Sequence, residues 1–398
     1  MASRRALIFS FVYYPRFVGG AEVAVKEITD RISPDDVEFH MLALRVDADL
    51  LRRERIGNVT VHRIGWTWLG LGFNKYLYPF LAAIKAAGLH RERRFDFAWS
   101  IMASYSGFAA LFFKLFHTDV PFVLSLQEGD PVDYIRSKSL TVKAGPLRIP
   151  VRSFMYPVLR MIFTHADRVQ AISKHLASFA RLMGARTEAV VIPNGVDVNR
   201  FSRMVPFAEL EELKRSLGKQ PGEAFLVTAS RLVAKNAVGR IVEALKHLPE
   251  SVKLLVLGQG QEEAELRRLA RDLGVDGRVV FKGFVSHDDL PRYLQASDIF
   301  VRPSVSEGFG NSFIEAMAAG VPVIATPVGG IVDFLRHKET GLFCEVNSPE
   351  DIARKAEVYL RDKSLRAEIV DNALHMVVDH YDWKIVAKDM RERVFKGL

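Results

Sequence analysis

Residues 298–330, DIFVRPSVSEGFGNSFIEAMAAGVPVIATPVGG, constrain the fold of this chain more than any other stretch. The run 298–305 is apolar with Pro303 near its end, the pattern of a buried strand leading out into a loop. The loop 306–311 carries Glu307 among small residues, with Gly308 and Gly310 flanking Phe309. Residues 312–319 read as a helix that stops at Gly320, just ahead of Pro322, and 323–326 as the next strand. A strand–loop–helix–strand unit of this kind belongs to a parallel α/β sheet. It sets its loop at the carboxyl edge, where such sheets hold ligands.

Glu307 on that loop and Glu315 on the first helical turn stand eight residues apart and can face one crevice. The glycines let backbone approach a ligand closely. The N–H groups from about Gly310 through Asn311 and Ser312 to Phe313 favour an anion such as a diphosphate. Carboxylates repel that anion, so the two glutamates suit hydroxyls on either side of it. For Glu315 a second reading stays open, because Ser312-Phe313-Ile314-Glu315 is also a capping box, worth about 1 kcal/mol to a helix terminus.

Other loops fall into the same scheme. A first strand over 6–13 precedes a helical pattern over 21–32, and Gly19 and Gly20 stand at the helix mouth, where a phosphate or sugar can approach backbone N–H groups. A plain turn explains the pair equally well. Strands follow over 37–45, 59–64 and 121–127, the last ending at Glu128-Gly129-Asp130. After a strand over 224–230, Arg231 and Lys235 place two cations on one loop, suited to a diphosphate: arginine binds bidentately, lysine as a point charge. The alternative is surface charge on an ordinary loop. A strand over 252–259 ends in Gly258-Gln259-Gly260, too short for a dinucleotide fingerprint because Glu263 stands where a third glycine belongs. Pro193-Asn194-Gly195-Val196-Asp197 is a turn cluster that closes a first domain, with the hinge over 197–206.

Composition bounds the rest. A chain of 398 residues suffices for two domains with their own cores, and 49% hydrophobic with 26% charged residues is a globular balance. The single cysteine, Cys344, excludes an internal disulfide framework and suits a reducing cytosol. Arg4 and Arg5 precede only a strand-length run broken by Pro15, so no secretory signal is expected. The apolar stretch 97–113 is interrupted by Ser100, Ser104, Ser106 and Gly107 and falls short of the ~20 residues a spanning helix needs; it reads as a strand leading into a core helix.

Charge is uneven. Residues 1–200 carry 27 Lys and Arg against 18 Asp and Glu, whereas 201–398 carry 28 against 29. Such asymmetry points the first half toward a polyanion or an anionic membrane surface, or marks a basic solvated face. Residues 66–80, WTWLGLGFNKYLYPF, are the most aromatic piece, followed by Arg91, Arg93 and Arg94. That mixture suits a membrane interface or a lipid acceptor, and equally a plain core. No RNA-binding signature accompanies it, so no nucleic-acid partner is expected. Asp47-Ala48-Asp49 is a D-x-D that can hold a divalent cation, but nothing around it supports that use, and no metal is expected. The basic stretch 137–150 reads as a loop over the acceptor side.

The Glu307–Glu315 stretch, with GFGNSFIEAMAAGVPVIATPVGG between and after its carboxylates, resembles the E-x7-E signature of the family 4 retaining glycosyltransferases. The G-G-x-E loop at Gly19, the P-N-G-V-D segment at 193–197 and the Arg231 loop are similar to that family in weaker form. The resemblance implies an α/β GT-B fold, two Rossmann-like doubly wound domains facing a central cleft. The first would bind the acceptor (1–199 plus 378–398) and the second the nucleotide sugar (200–377), with a last helix crossing back to the first domain.

It further implies a hexosyltransferase acting with retention and without a metal or cofactor, the co-substrate being a nucleoside-diphosphate sugar. Glu307, Arg231 and Lys235 would be catalytic. Gly19, Gly20, Gly258, Gly283, Phe284, Gly308, Phe309, Gly310, Asn311, Ser312 and Glu315 would bind the donor, and 279–285 would edge its base. Many family members carry a histidine near 127–128, where this sequence has Gln127 and Glu128; Glu128 or Asp130 is left as an acceptor-side candidate. In the family Lys235 often falls five residues after the arginine, here four. A lipid-linked or surface-polysaccharide acceptor at the cytoplasmic membrane face is expected. A nucleotide-sugar epimerase of the same fold and a non-catalytic sugar-nucleotide-binding partner are the alternatives.

Overall fold

The structure, a computed structural model, describes residues 3–128, 141–144, 147–150 and 152–398. It divides into two units, one of Met1–Asn194 with Trp383–Leu398, the other of Gly195–Asp382. The C-terminal unit thus runs beyond the expected 200–377 at both ends. Its two crossings are tied together inside it: Val196 N–H donates to the Tyr381 carbonyl at 2.8 Å, and Val196 bridges to Asp382.

The N-terminal unit is built on strands β1 (Arg4–Phe9), β2 (Val37–Leu44), β3 (Arg53–Ile56), β4 (Val59–Ile64), β5 (Phe97–Ile101) and β6 (Phe122–Leu126). A separate antiparallel pair, β7 (Thr141–Ala144) and β8 (Leu147–Pro150), falls within the stretch read as a loop, of which the remainder lies outside the described residues. The main sheet resumes with β9 (Arg168–Ala171) and β10 (Val190–Val191), in the order β10-β9-β6-β5-β1-β2-β4-β3. All of its pairs are parallel except β3–β4. The central strands are continuous apolar runs because helices cover both faces. Strand β3, RERI, is charged and only partly covered, which an edge position tolerates.

The helix Gly70–Arg93 packs on the helix Tyr105–Phe116 and on β1, β2 and β4. Tyr78, Ala82, Ala86 and Leu89 are buried, and the Tyr78 hydroxyl lies 2.9 Å from the Ser10 and Leu42 carbonyls. Phe73, Tyr76, Phe80 and Ile84 face solvent on the opposite stripe, as do Trp66 and Trp68 just upstream. The aromatic stretch therefore divides into a buried and an exposed face. The C-terminal helix Trp383–Asp389 and the turn that continues it to Phe395 complete this unit's core. Phe395 lies 5.1 Å from the Phe97 ring and 5.0 Å from Trp99.

The second unit has strands β11 (Ala224–Ala229), β12 (Val252–Leu257), β13 (Val279–Gly283), β14 (Ile299–Arg302), β15 (Val323–Ala325) and β16 (Leu342–Phe343). They form a parallel sheet in the order β13-β12-β11-β14-β15-β16. The chain winds one way from β11 and returns the other way from β14, so the strand order reverses between those two. The crevice outside their carboxyl ends is the place such sheets hold ligands. No helix among the described residues is long and apolar enough to cross a membrane.

Candidate functional site

The two loops leaving that switch point are those of Arg231–Asn236, after β11, and Pro303–Gly310, after β14. A backbone bond joins them, Val305 N–H donating to the Lys235 carbonyl at 2.8 Å. The Asn236 side chain folds back onto the Arg231 carbonyl at 2.7 Å, which fixes the first loop and leaves the Arg231 side chain exposed. Ser230 and Ser304 follow the two strands, and neither hydroxyl finds a hydrogen-bond partner among the described residues although both are buried. Buried polar atoms left open at a sheet's carboxyl edge mark a place completed by ligand or water.

Glu307 is held from three sides. Arg302, the last residue of β14, pairs with its Oε2, and Gly308 N–H reaches Oε1 at 3.2 Å. Its carbonyl accepts from Gly330 N–H at 3.1 Å. Gly329 lies so close beneath that a Cβ there would sit 1.8 Å from the Glu307 oxygen, and its φ of +55° disfavours a side chain as well. Arg302 is itself buried: its other arm donates to Ser312 Oγ at 2.7 Å and its plane covers the Phe313 ring at 4.3 Å. The Glu307 carboxylate is therefore oriented rather than free, and Oε1 keeps room for a hydroxyl donor.

Glu315 does not close a capping box. The helix Asn311–Ala318 begins after Gly310 with no side-chain cap. Glu315, 8% exposed, instead accepts from His287 Nε2 at 2.9 Å. Arg200 donates to the other ring nitrogen at 3.1 Å, and a guanidinium can only donate. The imidazole is thereby set as the neutral tautomer with its proton on Nε2, facing Glu315. The ring also packs edge-on against Phe201 at 5.3 Å.

The remaining donor-side residues separate into backbone and side-chain roles. Gly258 N–H donates to the Gly283 carbonyl at 2.7 Å, and a Cβ on Gly258 would lie 1.9 Å from the Ser230 carbonyl. The glycine expected to admit a ligand thus admits the neighbouring loop, lacing the carboxyl ends of β11, β12 and β13 together. Phe309 is placed with its side chain in the core. Its ring is 1% exposed, packed on Phe334 at 5.2 Å and Tyr381 at 5.8 Å, so only its backbone can line a site. Gly308 and Gly310 are buried beside it, and Asn311 and Ser312 are half-buried at the helix start. Phe284 stands 71% exposed, available for stacking.

In the N-terminal unit Gly19 precedes the helix Gly20–Asp30, and its N–H is taken by Glu22 Oε2 at 2.9 Å. A carboxylate at that mouth suits sugar hydroxyls and disfavours a phosphate. Glu128 Oε1 accepts from Ala103 N–H, joining the ends of β5 and β6, while Gln127 and Asn194 exchange two bonds of 3.0 and 2.9 Å. Asp130 lies outside the described residues. Asp47 and Asp49 pair with Arg16 at 3.1 and 3.7 Å. Among the described residues no three His, Cys, Asp or Glu side chains gather to hold a metal.

Sequence reasoning missed Arg302, His287, Arg200 and the role of Gly329. Arg302 carried a signal: an arginine inside an otherwise apolar strand demands a buried partner, and Glu307, five residues on, is the first carboxylate after it in sequence.

Comparison with known proteins supplies two family models, Glycosyltransferase Family 4 over residues 18–200 and Glycosyl transferases group 1 over 209–376. The chain is 33% identical over 247 residues, 59% of its length, to a GDP-mannose-dependent alpha-(1-6)-phosphatidylinositol monomannoside mannosyltransferase of Mycobacterium tuberculosis. It spans less than two thirds of the curated relatives it matches, 63% of this one. Among solved structures, sucrose-phosphate synthase from Thermosynechococcus elongatus superimposes with a TM-score of 0.81 at 21% identity, over 99% of this chain and 98% of that one. Anabaena HepE in complex with UDP-glucose gives 0.79 at 20% identity, over 98% and 99%. These likenesses show the GT-B fold for the architecture here.

Proposed function

Because this chain belongs to the family 4 glycosyltransferases, we propose that it moves a hexose from a UDP- or GDP-linked sugar to an acceptor hydroxyl with retention at the anomeric carbon. The observation that carries this reading is the joining of the Arg231–Lys235 and Glu307 loops at the β11/β14 switch point. We infer that the cations, helix-start amides and oriented carboxylate of these loops act on one diphosphate sugar there. The diphosphate lies against Arg231, Lys235 and the amides near Asn311, where charge accumulates as the leaving group departs; those groups do the work a metal would otherwise do. Glu307 Oε1 accepts from sugar hydroxyls, and Glu315, kept in place by His287, accepts from the ribose.

The acceptor oxygen attacks the face from which the diphosphate leaves. One C–O bond forms as the other breaks, and the acceptor proton passes to a departing phosphate oxygen. A relative that acts on phosphatidylinositol monomannoside supports a lipid-linked acceptor, with a surface polysaccharide as the other candidate. The exposed aromatic face of the helix Gly70–Arg93, with the basic charge of the first half, supports a peripheral place on an anionic membrane surface at its cytoplasmic side.

The test is a mass-spectrometric screen of UDP- and GDP-sugars against a membrane lipid extract, with Glu307→Gln alongside. A glycosylated lipid with unchanged anomeric configuration is expected, and the variant is expected to lose roughly a hundredfold in kcat, about 2.7 kcal/mol. Full activity in Glu307→Gln removes its role, and sugar interconversion without any acceptor marks an epimerase instead.

A further inference from the structure

A charged cavity lies wholly within the N-terminal unit, between the edge hairpin β3–β4 and the helix Gly70–Arg93. It is open to solvent, with a volume of about 500 Å³, and Arg52, Arg53 and Lys85 are exposed. Arg52 and Arg53 come from the hairpin, Lys85 and Arg93 from the helix, and His62 and Trp66 from the end of β4. Arg53 is the cross-strand partner of His62, so both project from one face of the hairpin. Leu81, Lys85 and Leu89 recur every four residues, one stripe of the helix turned toward the same space.

Only some of these charges are spent on the protein. Arg63, also in the wall, is fully engaged with Glu54 and the Leu51 and Tyr14 carbonyls, and Arg93 reaches Glu38 at 3.7 Å. Arg52, Arg53 and Lys85 have no ion pair or side-chain hydrogen bond among the described residues, and Glu92 is the one carboxylate in the lining. On the inner wall, His62 lies 3.0 Å from His40, whose other nitrogen meets Glu38 at 2.9 Å.

We propose that this cavity is a phosphoryl-anion seat, taking a phosphate monoester or diester between Arg52, Arg53 and Lys85. Several cations against one carboxylate suit a phosphoryl oxyanion, and arginine's fork matches its geometry. Burial, first of all, and then the neighbouring His40 and the charges of Arg53, Lys85 and Arg93 push the His62 imidazole down to about 4. The seat is independent of the donor loops, which belong to the other unit, and it stands whichever sugar the chain transfers. The phosphoryl group can come from a lipid headgroup, since the exposed Phe80 and Ile84 lie on the adjoining stripe of the same helix, or from free phosphate.

Full-length protein labelled at its histidine side chains is titrated at pH 7 with inorganic phosphate and, separately, with monomeric dihexanoyl phosphatidylglycerol, and the His62 resonance is followed. Saturable movement is expected. In Arg53→Glu/Lys85→Glu affinity should fall by at least about tenfold, while Arg53→Lys/Lys85→Arg and Arg231→Ala should retain it. Lys85→Ala, on exposed helix surface, should weaken it in the same direction. A response to the lipid at concentrations where phosphate gives none assigns the seat to a headgroup; a response to phosphate at equal or lower concentration assigns it to the free ion. A silent His62 with both probes, or an unchanged titration in the charge-reversed variant, overturns the proposal.

Discussion

Arg302 and Glu307 show how much of the site rests on one buried pair. The guanidinium is enclosed by β14, Ser312 and the Phe313 ring, so removing either partner strands the other in a poorly solvated place. Arg302→Met should cost about 3–5 kcal/mol in urea unfolding, whereas Arg302→Met/Glu307→Leu should recover most of that loss without recovering transfer. His62 gives a second prediction at this scale. Its folded-state pKa of about 4 lies below the ordinary 6.5, so between those values the unfolded chain binds a proton that the folded chain refuses. Stability contributed by the neutral ring is complete above about pH 6.5 and is lost as pH falls, by up to about 3 kcal/mol. His62→Gln should flatten that part of the pH–stability curve, measured by denaturant melts from pH 7 to 4. The two carboxylates of the site were legible in the sequence because glycines surround them. Their partners were not, because Arg302 and His287 reach them only through folding: one sits inside a strand, the other 28 residues upstream of Glu315.

Among the elements, the legible ones were those whose sequence repeats the demands of burial. Strands β1, β2, β5, β6, β11 and β12 are apolar runs because helices cover the sheets on both sides. Strand β3 escaped notice because an edge needs no such run, and Arg53-Glu54-Arg55 looks like a solvated turn until β4 is beside it. The helix Gly70–Arg93 was obscured by Gly70, Gly72 and Pro79, which weaken a helical pattern that tertiary packing then restores. Its exposed stripe is the element-scale consequence. Trp68, Phe73 and Ile84 are 79%, 55% and 71% exposed, so they contribute little to the fold. Replacing all three by serine should leave the melting midpoint nearly unchanged. The same change should weaken co-sedimentation with phosphatidylglycerol-containing vesicles by at least about tenfold, because each apolar side chain entering the interface contributes about 1–2 kcal/mol. Equal sedimentation of variant and parent would remove the membrane-facing role of this helix.

At the scale of the whole chain, the end of the sequence belongs to the unit in which the sequence begins. Trp383, Val386, Met390, Val394 and Phe395 lie in the N-terminal core, with Phe395 seated between Phe97 and Trp99. Fully burying five such side chains contributes roughly 7–15 kcal/mol in area terms, as large as the net stability of an ordinary domain. The C-terminal unit has a core cluster of its own, which runs from Leu226 to Ile369, and Arg231, Lys235, Glu307, Glu315, Arg302 and His287 all lie within Gly195–Asp382. Deleting 383–398 should therefore split the behaviour of the two units. In scanning calorimetry the N-terminal unit should lose its cooperative transition while the C-terminal one keeps its own. Nucleotide binding, followed by titration calorimetry with UDP and GDP, should survive with affinity within about threefold, while sugar transfer is abolished. Loss of nucleotide binding along with the N-terminal transition would mean that the donor loops depend on the first unit, and that the switch point between β11 and β14 does not hold the nucleotide by itself.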